Sequence, residues 1–262
     1  MKKLEKIFWS VVLILVVLAI IGAIVASVFL GDIVKKGVET VGPQITRVSV
    51  KLDEVHLTLL TGSASVKGLV VGNPEGYQTP QAISAGLISV GVNPLSVLSD
   101  KIVVRSLHVE SPEITFEGGL GGNNLSTILN NVTEASKNPA QTSTALTNAP
   151  AQAKPSRKLE VDDLLITGAR VHVSLTDLGG KQMTLPLPPI HLVNLGRNQE
   201  GITAPELTRS VLDAIVSATL KVVAKSSTDI GKNAGNLLKG AGNNAGAGTS
   251  NVIKGLDKLL GK

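Results

Sequence analysis

The 262-residue sequence predicts a mainly β protein, in which one antiparallel sheet with flanking helices follows an N-terminal transmembrane helix. Three observations support this fold class. Residues 101–116 and 158–173 share an alternating pattern of aliphatic residues, which is typical of strands with one apolar face. Aromatic residues make up only 2% of the chain, so its core must consist of Val, Leu and Ile, which suits a sheet. A long uncharged run near the N-terminus predicts the transmembrane helix.

The uncharged run covers residues 7–30 and follows Lys2, Lys3 and Lys6. As a helix it would be roughly 36 Å long, enough to cross a bilayer core of about 30 Å. A cleaved signal peptide has a shorter apolar region of about 7–15 residues, so we favour a retained signal-anchor over a cleaved signal peptide. The lysines and Trp9 place the N-terminus in the cytoplasm. The anchor residues are Ile7, Trp9, Leu13, Leu18, Phe29 and Leu30.

A juxtamembrane segment, residues 32–47, is next, and Gly42-Pro43 is predicted to break it. Strands are then predicted at residues 47–60, 63–71, 82–92, 101–109, 112–118, 159–166, 169–175 and 182–194. The connections between them are mostly short turns, one of which, residues 93–98, is predicted to form a single helical turn. Because parallel neighbours need long crossovers, the short connections predict antiparallel pairing.

The two copies of the repeated pattern align with an offset of 57 residues, and a weaker copy precedes them at residues 50–66. Each copy contains two consecutive polar residues that invert the alternation, which predicts a bulge or a strand break at that step. The apolar positions of the three copies are Val50, Leu52, Val55, Leu57, Ile102, Val104, Leu107, Val109, Ile114, Phe116, Leu159, Val161, Leu164, Ile166, Val171 and Val173.

Helices flank this predicted sheet. Leu125, Ile128, Leu129 and Val132 have helical spacing and predict a short amphipathic helix. Residues 138–157 are rich in Pro, Ala, Ser and Thr and predict a mobile insertion between the two best copies. The predicted sheet domain therefore covers residues 32–202, after a cytoplasmic stub and anchor in residues 1–31.

The C-terminal part begins with a capping box, in which Glu206 stands three residues after Thr203 and Pro205 fits the first turn. It predicts an amphipathic helix over residues 203–226. Residues 227–262 are a low-complexity tail, whose short basic amphipathic end is interpreted either as a membrane-surface contact or as a frayed terminus.

Composition and motifs argue against several functional classes. The chain has no cysteine, and its net charge of +5 comes from the two ends, since residues 32–202 carry 14 basic and 15 acidic residues. A nucleic-acid-binding domain would concentrate basic charge on its folded part. The four histidines, His56, His108, His172 and His191, are isolated on predicted strands, where we expect surface residues rather than metal ligands.

Two acidic pairs, Asp53-Glu54 and Asp162-Asp163, occupy the inverted steps of their copies. Because adjacent strand residues point to opposite faces, these pairs are interpreted as solvated turn charges rather than catalytic carboxylates. The sequence contains no nucleophile elbow, phosphate-binding loop or dinucleotide fingerprint. We therefore expect no enzymatic activity, no cofactor and no metal.

The segments G-L-V-V-G-N-P-E-G-Y at 68–77, V-N-P-L-S-V-L-S-D-K-I-V-V-R-S-L-H-V-E-S-P-E-I-T-F at 92–116 and N-L-S-T-I-L-N-N-V at 124–132 resemble the N-terminal region of AsmA-like proteins. With the signal-anchor, the resemblance covers about residues 1–195. It implies an inner-membrane protein with a periplasmic, curved, taco-like β-groove, related to bridge-like lipid-transfer proteins and linked to phospholipid movement and outer-membrane homeostasis. Eight strands at roughly 4.8 Å give a groove of about 40 Å, too short to bridge a periplasm alone.

The resemblance makes the sixteen apolar positions candidates for lining a lipid groove. The expected function is phospholipid handling through apolar contacts, with a membrane, phospholipid and envelope proteins as partners and no nucleic acid. Two alternatives remain at this point. The apolar face is an ordinary core packed on the helices, or the chain is a membrane-anchored envelope scaffold without lipid cargo.

Overall fold

The computed structural model of the chain describes residues 29–58, 61–119, 122–137, 157–175, 182–197 and 200–242. These residues form a mainly β structure with three helices and a curved, open, mixed sheet. The helices are α1 (residues 29–46), α2 (Asn124–Lys137) and α3 (Ala204–Gly242). The strands are β1 (Val50–Lys51), β2 (Glu54–Thr58), β3 (Ser63–Gly72), β4 (Gln81–Val92), β5 (Lys101–Glu110), β6 (Glu113–Gly119), β7 (Gly122–Asn123), β8 (Lys158–Thr167), β9 (Arg170–Leu175), β10 (Gln182–Pro186) and β11 (Ile190–Leu195).

Pairs of consecutive strands, such as β5 with β6 and β8 with β9, continue one another along the same line of the sheet. With each such pair counted as one long strand, neighbours in the sheet are neighbours in the chain. β3 pairs with β1 and β2 on one side and with β4 on the other. β4 then pairs with β5 and β6, these pair with β8 and β9, and β11 and β10 complete the sheet. The predicted elements agree well with these strands, although the predicted strands 47–60 and 182–194 are each divided in two. Leu187, between β10 and β11, donates a backbone hydrogen bond to Ala169 instead (2.9 Å).

The prediction of a wholly antiparallel sheet is wrong at one seam. β5 and β8 run parallel, as do β6 and β9, while the other pairs are antiparallel. The long connection between β7 and β8, which contains α2, supplies the crossover that parallel strands need. The two repeat copies therefore lie side by side and point in the same direction.

The pairing register across this seam reproduces the sequence alignment of the two copies. Ile102 pairs with Leu159, Leu107 with Leu164, and Ile114 with Val171. The offset of 57 residues is thus also the spatial register of the sheet. The predicted bulge is present as well, because Val92 pairs with Val104 and Gly91 with Ser106, which leaves Arg105 without a partner in the ladder.

The first copy shows the alternative outcome, a strand break between β1 and β2. Asp53 at this break donates its backbone N–H to Lys67 (3.0 Å), and its side chain lies against Gly68. Gly68 has a φ of 62°, and a Cβ at this position would collide with the Asp53 carboxylate. A glycine is therefore required opposite the break.

Cross-strand pairing arranges the apolar side chains in rows that cross the whole sheet. One row is Val55, Val66, Ile88, Val109, Ile166 and Ile190. The next is Leu57, Ala64, Val90, Leu107, Leu164 and Leu192. We call the face that carries these rows the inner face. The opposite, outer face carries polar rows, such as His56, Ser65, Ser89, His108, Leu165 and His191.

Helix α1 packs along β1 and β2 in the opposite direction to them. Glu39 accepts a hydrogen bond from the backbone N–H of Leu52 (3.1 Å), and Lys35 donates to the carbonyl of Asp53 (2.8 Å). The predicted break at Gly42-Pro43 is wrong, since the helix continues to residue 46. Gly42 instead allows close contact, because a Cβ there would lie only 2.9 Å from Val50 Cβ.

Helix α3 begins at the predicted capping box. The Thr203 N–H donates to the Glu206 carboxylate (2.7 Å), and the Glu206 N–H donates to the Thr203 hydroxyl (3.4 Å). The helix extends to Gly242, well beyond the predicted end at residue 226. The low helix propensity of the residues after 226 does not end the helix, because extending an existing helix needs no new nucleation.

The chain forms two compact units, Met1–Thr219 and Leu220–Lys262, and the site below lies in the first. No helix among the described residues is long and apolar enough to span a bilayer. Most of the predicted anchor, the predicted insertion up to residue 156 and the predicted basic end of the tail lie outside the described residues.

Candidate apolar binding site

A cavity of about 290 Å³ lies between the inner face of the sheet and the first turns of α3. Strands β3, β4, β5, β6 and β8 contribute its floor and walls, and side chains of α1 and α2 close part of the periphery. The side that α3 contributes consists of Leu207, Thr208, Val211, Leu212 and Ile215. Because the period-two strand pattern and the helical stripe meet here, the cavity has apolar walls on both sides.

Only two lining residues carry polar side chains, Thr46 and Thr208, and both hydroxyl groups are already bonded. The Thr46 hydroxyl donates to the carbonyl of Gly42 (2.8 Å), and that of Thr208 donates to the carbonyl of Ala204 (2.8 Å). No charged side chain lines the cavity. The cavity thus offers an occupant dispersion contacts and no obvious polar partner, and an apolar lining of this kind accepts apolar molecules.

The structure divides the sixteen predicted positions into three groups. Five line the cavity: Leu107, Val109, Ile114, Leu164 and Ile166. Seven are buried without lining it: Val50, Leu52, Val55, Phe116, Val161, Val171 and Val173. The remaining four are half-buried: Leu57, Ile102, Val104 and Leu159.

Sequence reasoning missed the lining residues outside the repeat. From β3 and β4 these include Leu69, Val71, Ile83, Ala85 and Ile88. They lie in correctly predicted strands, but β3 and β4 do not repeat the double-polar pattern, so the alignment of copies passed over them. The α3 side chains belong to the predicted amphipathic helix over residues 203–226, and their helical spacing is the signal that could have assigned them to the lining.

The inner face is only partly covered beyond the cavity. In β4 and β5, Val90, Ile102 and Val104 are half-buried, and so is Val66 of β3. In the neighbouring strand β8, Val161 is fully buried. A half-buried apolar strip therefore leads from the cavity along β4 and β5 towards the end of the sheet where β4 ends and β5 begins.

Charged groups lie on the outer face, away from the cavity. Glu113 accepts hydrogen bonds from Arg170 (2.9 Å to Nε) and from His172. The Arg170 hydrogen bonds lower the pKa of Glu113, burial opposes them, and the His172 hydrogen bond adds to the lowering. This group joins the two repeat copies across the parallel seam.

The histidines occupy the surface positions that the sequence predicts. Their side chains are 38–60% exposed, and each contacts an acidic residue or a hydroxyl, such as His191 with Asp163 (2.5 Å) and His108 with Thr167 (2.9 Å). Within the described ranges, no three His or acidic side chains converge in a way that could hold a metal ion. Asp53 and Glu54 are exposed, in line with the interpretation as turn charges. For Asp162 and Asp163 that interpretation is wrong, since both lie inside β8 and are half-buried.

A buried polar cluster at the other end of the sheet holds the turn between β3 and β4. Glu117, only 5% exposed, accepts hydrogen bonds from the backbone N–H groups of Gln78 (2.6 Å) and Thr79 (2.8 Å). Asn124 donates to Asn73 (2.7 Å) and accepts from the Glu117 N–H (3.0 Å). Burial raises the pKa of Glu117, but the hydrogen bonds from Gln78 and Thr79 outweigh it and hold the pKa below its ordinary value.

Comparison with known proteins adds no assignment to this geometry. No model of a protein family matches the sequence, and no curated protein matches it either. The resemblance to AsmA-like proteins therefore stays a prediction.

Proposed function

We propose that this chain is a membrane-anchored protein of AsmA-like type that handles phospholipid at the bacterial cell envelope. In this proposal the anchor lies in the inner membrane with its N-terminus in the cytoplasm, and the sheet lies in the periplasm. The cavity beneath α3 holds part of an acyl chain, and no bond is made or broken. The chain acts as a carrier or a local binding module and not as an enzyme.

The observation that carries the proposal is the chemistry of the cavity wall. Its only hydroxyl groups, those of Thr46 and Thr208, are bonded to backbone carbonyls, and the other lining groups are apolar side chains. A sugar, nucleotide or ion would lose its hydration there without finding partners, which is costly. An acyl chain needs no polar partner and gains contacts.

The volume limits how much lipid the cavity can hold. At about 290 Å³ it is close to the lower end of ligand pockets, about 300 Å³, and about twice the size of an apolar cavity that accepts benzene. It suits a segment of one acyl chain. The remainder of the acyl chain would lie along the half-buried strip on β4 and β5, which leaves the lipid headgroup outside the cavity.

The same physics favours exchange over tight retention. Moving a methylene group from water into an apolar site contributes roughly 0.8 kcal/mol, but a bilayer is as apolar as a leucine-lined wall. Transfer of a chain between bilayer and cavity is therefore nearly balanced. This property suits a protein that takes up and releases lipid.

Photo-cross-linking in the full chain tests the proposal. Benzoylphenylalanine at Ile88, which lines the cavity, should capture phospholipid in the cell envelope, and mass spectrometry of the adduct identifies it. The matched control is Ser89, the next residue of β4, whose side chain is exposed on the outer face. Adducts at Ile88 but not at Ser89 are expected.

A cavity-filling change separates bound lipid from bulk bilayer lipid. Ala85 is 3% exposed and lines the cavity, so Ala85→Phe should occupy part of its volume and reduce cross-linking at Ile88. A cooperative melt of this variant shows that the fold is kept. Equal capture at Ile88 and Ser89, or capture at Ile88 that Ala85→Phe leaves unchanged, would contradict lipid binding and favour the envelope scaffold without cargo.

A further inference from the structure

The short 3-10 helix between β4 and β5, Pro94–Leu98, holds two leucines out in solvent. Leu95 is 81% exposed and Leu98 is 87% exposed, the two highest values among the large apolar residues of the described part of the chain. Val97 beside them is 39% exposed. Single exposed leucines are common, but three apolar residues on one five-residue turn form a small apolar tip.

Hydrogen bonds fix this tip in place. The Asn93 side chain accepts from the Leu95 N–H (3.3 Å) at the start of the turn. Ser96 is 8% exposed; its hydroxyl donates to the Asn93 carbonyl (2.7 Å) and accepts from the Val103 N–H (2.9 Å). The serine faces inward and is bonded to β5. The leucines are therefore presented by a defined backbone.

The tip lies at the end of the sheet where the described chain begins. Contacts along α1 run from Gly42 beside Val50 to Gly31 beside Val55, so residue 29 lies towards the end of β2. The turn that follows β2 contains Gly62, whose carbonyl accepts a hydrogen bond from the Val92 N–H (2.6 Å). Gly62 also lies against the tip, since a Cβ added to it would be 2.8 Å from Pro94 Cγ. The segment that precedes residue 29, the predicted anchor, thus joins the domain at the same end as the tip.

Basic groups accompany the apolar ones at this end. Arg157 donates from Nη1 to the carbonyl of Val97 (2.6 Å). Lys101 and Lys158 start the paired strands β5 and β8 next to it. Asp100 and Glu160 lie there as well; Glu160 pairs with Lys101, and Lys158 also attracts the Glu206 carboxylate. Exposed leucines beside basic side chains such as Arg157 suit the boundary between acyl chains and anionic headgroups.

We propose that the Pro94–Leu98 tip is a second membrane contact, in which Leu95 and Leu98 enter the interfacial layer of the bilayer beside the anchor. The contact would bring the half-buried Ile102 and Val104, at the open end of the apolar strip, next to lipid. This inference rests on the membrane anchorage in the proposed function and not on lipid carriage. The partner is a lipid surface.

The absence of native cysteine makes the test direct, because any introduced cysteine can be labelled alone. Leu98→Cys in the full chain carries an environment-sensitive fluorophore, and the protein is reconstituted into vesicles of phosphatidylethanolamine and phosphatidylglycerol. We expect a blue-shifted emission that nitroxide-labelled lipids quench. Glu75→Cys, on the exposed turn at the opposite end of the sheet, is the matched control and should report water.

Two results would overturn the inference. A water-like emission at both sites means that the tip does not touch lipid. A blue shift at Leu98→Cys that nitroxide lipids do not quench means that protein, such as a second copy, covers the tip.

The Ile88 cross-link keeps the two proposals separable. If the probe at Leu98→Cys is quenched by lipid but Ile88 captures none, the membrane contact stands and lipid carriage fails. If Ile88 captures lipid and the probe reports water, the contact alone fails. If both hold, Leu95→Ser with Leu98→Ser should lower capture at Ile88 severalfold without changing the melt, because loading from the bilayer is impaired.

Discussion

The two repeat copies, β5–β6 and β8–β9, share one apolar pattern but differ in how they are covered. Leu107 in the first copy is half-buried, whereas its partner Leu164 in the second is 1% exposed. The chain that leads into α3 explains the difference. Ile202 exchanges two backbone hydrogen bonds with Leu159 (2.7 and 2.8 Å), so α3 starts beside the second copy. Both leucines line the cavity, so cover by α3, and not the strand pattern, separates the fully buried part of its wall from the half-buried part.

The comparison can be sharpened most strongly by truncating the two paired leucines. Leu164→Ala should destabilise the protein by about 2–5 kcal/mol, because it removes a buried side chain and leaves a void. Leu107→Ala should cost clearly less, since the Leu107 side chain is only half-buried in the folded chain and loses less burial. Urea unfolding followed by circular dichroism measures both. Equal losses would show that the two copies are equally parts of the core.

The second prediction concerns a buried group that only the first copy has. Glu117 is paired across the seam with Ser174, and its carboxylate accepts both backbone N–H groups of the Gln78–Thr79 turn. Glu117→Gln should cost about 1–3 kcal/mol, because a charged acceptor of backbone N–H groups is replaced by a poorer match. Urea unfolding at neutral pH measures this loss, and Ser174→Ala is the control that should change little.

The pH dependence of stability provides an independent test of the role of the Glu117 carboxylate. Its pKa is lower in the folded chain than the ordinary value of 4.5, so its stabilising effect is complete above that value and disappears as the pH falls through the folded pKa. The stability difference between the native sequence and Glu117→Gln should therefore shrink below about pH 4.5. A difference that stays constant down to acid unfolding would contradict this role.

The smallest expected effect comes from the cap of the helix that covers the second copy. Thr203→Ala removes the hydroxyl that accepts from the Glu206 N–H and should cost about 1 kcal/mol. We expect hydrogen exchange of α3 amides near the N-terminus to increase, while β4 amides stay protected. Thr208→Ala, whose hydroxyl bonds only to the Ala204 carbonyl, is a matched control with a smaller effect. Equal exchange in both variants would contradict a role of the cap.

Much of the sheet could be predicted from local pattern. Alternation located the strands, and the double-polar step predicted the bulge at Arg105 and the break at Asp53. In the third copy the prediction of a bulge or break is wrong, because β8 continues through Asp162 and Asp163 without a register shift. The repeat even contained the register of the seam, because residues at an offset of 57 are paired. The direction of that pairing was missed, since short turns argue for antiparallel neighbours, and the helix and insertion between the two copies were not interpreted as a crossover.

The candidate site was predictable only in part. The repeat supplied Leu107, Val109 and Ile114 as inward residues, but whether an inward residue borders a cavity depends on where α3 crosses the sheet. That crossing is a tertiary property. Ala85 illustrates this limit. Its small side chain leaves room for the cavity, but the sequence does not show that α3 lies opposite Ala85, so it does not reveal that a cavity forms there.

The parallel seam also bears on how the chain folds. On either side of it, β1–β6 and β8–β11 pair mostly with sequence neighbours through short turns, whereas the seam joins residues 57 positions apart. Closing that long loop costs entropy before any seam hydrogen bond is gained, and contacts of this kind slow folding. We therefore expect two locally formed halves that dock last along β5 and β8, so that the rate-limiting step is the meeting of the two copies.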